Sequence, residues 1–140
     1  MNPTNPAVEE LARRLIAIET ARAPSAGPGV AAMRVNAKLR VPLVKLVGSA
    51  GFRALVSRAL AMAKLEFPSL GPVLLRPDGL LEGLDGIGGD GDATPGVMLT
   101  AHLLGLLVVF IGEPLTLRLV GDAWPDAFVD GIEAGSGEPS

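Results

Sequence analysis

Apolar residues recur at helical spacing from the start of the chain. Val8, Leu11, Leu15 and Ile18 fall on one side, and Glu9, Glu10, Arg13 and Arg14 take the other. With Asn5 as N-cap and Pro6 in the first turn, this predicts an amphipathic helix to about Arg22. The segment APSAGPG, 23–29, breaks the pattern and would let 1–22 detach and pack on a neighbouring molecule. Two helices are expected next. The first covers 30–40, with Pro42 forcing a kink or restart and Leu43, Leu46 and Val47 continuing the apolar side to Gly48. Ser49 then caps a helix whose Phe52, Leu55, Val56, Ala59, Leu60 and Ala63 form a wide apolar stripe, ended by Pro68.

Beyond Pro68 the period changes. Pro77-Asp78-Gly79 is a turn signal, because proline presets φ and glycine accepts positive φ, so a short β-hairpin is expected near 73–84. A lone hairpin is marginal and must lay its apolar side on the helices. Thr94 caps and Pro95 starts the most apolar helix, 97–111, at about 22 Å against about 30 Å of bilayer hydrocarbon. That shortfall favours a central core helix over a membrane span. Gly112 and Pro114 end or bend it, 115–120 adds further turns, and Trp124 closes the fold. The expectation is a mainly α, compact bundle of about five helices with one hairpin, a single domain over 1–130, and a flexible tail over 131–140.

Composition sharpens this picture. Nearly half the residues are apolar and 19% are charged, which excludes a mainly disordered chain. Mean hydropathy of +0.43 favours extensive burial, an oligomer or partner interface, or membrane contact. Aromatic residues are few, so the core must be aliphatic. The lack of cysteine removes disulfides, thiolate metal sites and cysteine nucleophiles. With no signal-like segment at the N-terminus, a cytoplasmic location is expected, and the Ala, Gly, Leu and Arg usage suggests a GC-rich bacterial source.

Charge is segregated. Between Glu19 and Glu66 stand eight basic residues and no acidic one; from Pro77 onward there are eleven acids and one base. Arg34, Lys38 and Lys45 share a helix face, as do Arg53 and Lys64 with Arg58 alongside. These six are the candidate binding residues. The acids of 78–92 or of 122–138 could cover them, a second molecule could, or an anionic partner could dock there. Nucleic acid is disfavoured by the acidic pI near 5.1 and by the lack of stacking aromatics.

Motifs that resemble chemistry fail on context. Residues 86–91 match G-x-G-x-x-G, yet no βαβ unit surrounds them and Asp90 and Asp92 would repel a pyrophosphate. The same loop offers too few ordered oxygens for a calcium site, so no metal and no cofactor are expected. His102, the one histidine, is read as part of the least buried stripe of its helix with Met98, Val109 and Glu113. Arg118 and Asp122 are spaced to pair. His102, Glu113 and Trp124 remain candidate ligand or interface residues. The leading expectation is a non-enzymatic protein-interaction or regulatory module, oligomeric, with a protein partner or itself. The alternatives are a membrane-associating protein that inserts 97–111, and a small-ligand binder or enzyme using His102.

Overall fold

A computed structural model describes residues 6–87, 92–125 and 127. The expectations for Asn5, for the loop 88–91 and for the tail 131–140 lie outside these. The fold is mainly helical, with four α-helices and a two-stranded antiparallel sheet: α1 (Pro6–Arg22), α2 (Pro28–Glu66), β1 (Leu74–Leu75), β2 (Leu81–Glu82), α3 (Thr94–Ile111) and α4 (Glu113–Ala123). Short 3-10 turns at Pro24–Ala26, Pro68–Leu70 and Leu84–Gly86 link them.

The two expected basic helices are both present and meet at Gly48, where the boundary between them was expected. Joined across that kink they count as one 39-residue element, α2, which brings the helix count to four. Its only non-helical residue is Gly48, at φ 83° and ψ 163°. That conformation is nearly exclusive to glycine, so the kink sits there and not at Pro42. Pro42 stays helical, on the wall of a surface groove between α2 and α4. Its missing N–H deprives one carbonyl beside solvent, where water can substitute.

The hairpin tip holds the two halves of α2 together. From the first half, Asn36 Nδ2 donates to the Gly79 carbonyl at 3.0 Å and Arg40 Nε to the Asp78 carbonyl at 2.7 Å. From the second half, the Phe52 ring packs so close to Gly79 that a Cβ there would lie 2.6 Å from it. Gly79, at φ 87°, is therefore required by both conformation and space. The strand register pairs Leu74 with Glu82 and Leu75 with Leu81.

α3 is the central helix, as its pattern predicts. From Pro95 to Gly105 every residue but Met98 is buried, and so is Leu107. Only its last turn emerges, with Val109 75% and Phe110 66% exposed. The start of α3 corrects one expectation: the Thr94 N–H bonds to Asp92 Oδ1 at 3.0 Å, so Asp92 supplies the capping oxygen that Thr94 was expected to give. α1 packs on its own chain through Val8, Ala12, Leu15 and Ile16. Arg14 also donates to the Ala127 carbonyl at 3.0 Å, tying α1 to the end of the described chain. Trp124 is fully buried and closes the core.

Candidate functional site

The strongest polar constellation inside the bundle centres on Glu19, which the sequence reading used only to bound the basic run. Its position follows from helical spacing: Val8, Ala12, Leu15, Ile16 and Glu19 line the buried side of α1. The apolar stripe thus ends in an acid, which is the signal that could have exposed it. The side chain is 0% accessible, and Oε2 accepts from Lys38 Nζ at 2.5 Å, Trp124 Nε1 at 2.8 Å and Arg22 Nη1 at 3.2 Å. Oε1 is buried without a partner. Lys38 also lies over the Trp124 ring, 5.7 Å from its centroid. Burial pushes the Glu19 carboxyl up, but the hydrogen bonds from Lys38 and Trp124 and the charges of Lys38 and Arg22 outweigh it. The carboxyl sits below its ordinary value.

Of the six basic candidates, Lys38 is therefore turned to an internal acid. The other five, Arg34, Lys45, Arg53, Arg58 and Lys64, form no ion pair among the described residues. On the second half of α2, eleven residues bring Arg53 and Lys64 back to one azimuth. Arg58 falls at the other edge of the solvent face, not alongside them, with exposed Ala54, Ser57 and Ala61 between. The face is a strip of small residues edged by cations on both sides.

Among the described residues, the acids of 78–92 do little to cover it. Arg40 binds a backbone carbonyl, and the Asp78 carboxylate turns to Arg76 at 3.1 Å. Asp92 is engaged by the Thr94 N–H, which holds its carboxyl below the ordinary value.

His102 corrects the stripe reading. It is buried, 3% accessible at the side chain, because an all-round apolar helix is enclosed by its neighbours. Nε2 lies 3.1 Å from Glu66 Oε1. A carboxylate only accepts, so Nε2 carries the hydrogen, while Nδ1 is buried with no partner. Glu113 starts α4 on the surface, so the two candidates are not brought together. Trp124 is an interior residue bonded to Glu19 rather than a surface anchor. Arg118 and Asp122 make no ion pair among the described residues.

Two grooves open on the surface. One, of about 510 Å³, runs between α1 and the start of α3 over Ile16, Ala17, Val97 and Met98. The other, of about 430 Å³, separates α2 from α4 and has Lys38, Val41, Pro42 and Lys45 on one wall and Leu119, Asp122 and Ala123 on the other. His102 lines neither. Among the described residues no three His, Asp or Glu side chains gather as a metal site would need. No family model, curated protein or solved structure matches this chain.

Proposed function

We propose that this chain is a non-enzymatic helical interaction module whose α2 face receives an acidic segment of a protein partner. The observation that carries the reading is the set of unpaired cations on α2. Arg53, Arg58 and Lys64 rise about 16 Å along the helix, near the screening length of about 8–10 Å for each neighbour, so their fields overlap. Small residues between them let a partner backbone approach closely. An acidic partner would meet both cationic edges at once, giving fast and oriented association.

Enclosure of α3 weighs against the membrane alternative. Thr94–Ile111 has the length and composition of a span, yet insertion would first have to strip eleven buried residues from the bundle. An enzymatic role for His102 lacks a second polar group beside Nδ1 and an opening from either groove.

The test is fluorescence anisotropy with a labelled oligoglutamate peptide, alongside co-sedimentation with anionic phosphatidylserine vesicles. The peptide is expected to bind at low salt and to be lost on charge reversal of Arg53, Arg58 and Lys64. Vesicle binding stronger than peptide binding would replace this reading with the membrane one.

A further inference from the structure

The groove between α2 and α4 carries one charge of each sign, on opposite walls. Lys45 stands on the α2 wall and Asp122 on the α4 wall, with Val41, Pro42, Leu119 and Ala123 supplying the apolar surface. The two charges do not pair with each other across the groove, and neither pairs elsewhere among the described residues. Val41 is 58% exposed at the centre of its wall, on the same helix face as Lys45. Lys38, the other cation of that wall, already answers to Glu19.

Lys45 and Asp122 are both exposed in the free chain, so an uncharged occupant that covered both walls would leave them without a counter-charge, a cost that an occupant of matching charge avoids. The occupant must instead present an acid opposite Lys45 and a base opposite Asp122, with apolar surface between them. The groove itself is such a surface. Turned through a two-fold axis along its centre, the α2 wall of one copy meets the α4 wall of the other. Lys45 then faces the other copy's acid while Asp122 faces its base, and both contacts occur twice. This is the self-complementarity that a two-fold interface requires.

The geometry points to a homodimer built on this groove, with reciprocal Lys45–Asp122 ion pairs closing over Val41 and Leu119. The inference rests on the reading of the chain as an interaction module, but it uses a different surface from Arg53, Arg58 and Lys64. With two short walls, the interface belongs to the small class, below roughly 1,200 Å² in total, so association is weak.

Sedimentation equilibrium over roughly 10 μM to 1 mM, a span of micromolar to millimolar affinities, tests it. The wild-type chain is expected to follow a monomer–dimer equilibrium. Lys45→Asp and Asp122→Lys are each expected to weaken dimerisation about tenfold or more, and the double variant K45D/D122K to restore it. Val41→Asp, at an exposed position, is expected to abolish the dimer while leaving helical circular dichroism unchanged. A chain monomeric throughout, a dimer indifferent to these changes, a double variant no better than the singles, or assembly beyond a dimer would each overturn the inference. Oligoglutamate binding to the monomeric V41D variant is read separately, so failure of the dimer and failure of the acidic-partner reading are distinguishable.

Discussion

Replacing Lys38 by methionine keeps the side-chain length and removes the charge, leaving Glu19 buried with one donor fewer. Breaking a buried ion pair by deleting one partner costs roughly 3–5 kcal/mol. Two features reduce this. Lys38 is 35% exposed, so part of its attraction is screened, and Arg22 and Trp124 remain on the same carboxylate oxygen. The expected loss is about 2 kcal/mol. At about 3–5 °C per kcal/mol for a chain of this size, the melting temperature falls by roughly 6–10 °C.

Glu19→Gln supplies the second arm of a double-mutant cycle. Its amide oxygen still accepts from Trp124 but no longer needs a cation. In that background, Lys38→Met is expected to cost under about 0.5 kcal/mol, a coupling well above the additivity error. Thermal and urea denaturation followed by circular dichroism measure all four chains. An equal cost for Lys38→Met in both backgrounds would refute the reasoning, because the pair would then hold nothing together.

The same carboxyl fixes a pH dependence. Its folded value is depressed, so between the folded and unfolded values the unfolded chain binds more protons than the folded one. The stabilisation is complete above the unfolded value of about 4.3. It is lost as pH falls through the lower folded value. The stability gap between the wild-type chain and E19Q should therefore narrow as pH drops below about 4.3. A gap that widens with acid would contradict the sign.

Two further predictions use the same melts. Gly48→Ala meets open space and is expected to cost about 1–3 kcal/mol from backbone strain alone, whereas Gly79→Ala adds a clash with buried Phe52 and should cost more; equal losses would mean the hairpin tip yields freely. His102→Leu removes a buried nitrogen that has no partner and gives up one hydrogen bond to exposed Glu66, so the net change is expected within about 1 kcal/mol. A loss above about 3 kcal/mol would mean that the ring is held by more than Glu66.

What could be read from sequence was what is locally determined. The hairpin followed from Pro77, Asp78 and Gly79 because turn chemistry resides in the turn itself. The central helix followed from an uninterrupted apolar run, and the buried tryptophan from the scarcity of other large side chains. The Glu19 cluster was not legible in this way. Its donors come from α1, α2 and the residue after α4, and Trp124 is 105 positions away, so no window of sequence contains the reason for its burial. His102 was misplaced for a related reason. A wheel drawn for one helix ranks its faces along its whole length, but over 95–105 every residue of α3 except Met98 is buried, so at His102 there is no solvent face to rank.

The charge asymmetry takes a more specific form in the fold. Both acids that bound the basic run have partners away from the basic face: buried Glu19 holds Lys38 and Trp124, and exposed Glu66 bonds to buried His102. Downstream, Asp78 serves its own hairpin and Asp92 serves the start of α3. Exposed Glu82 and Asp85 form no ion pair among the described residues. Acids committed to caps and turns are held at distances and directions set by the backbone, and cannot also neutralise a helix face. Among the described residues, therefore, the opposite net charges of the two halves do not amount to mutual neutralisation; Asp90, Asp126, Asp130, Glu133 and Glu138 lie outside them. Among the described residues Arg34, Lys45, Arg53, Arg58 and Lys64 of α2 make no ion pair, and it is this unpaired set, not the net charge of either half, that supports the proposed acidic partner.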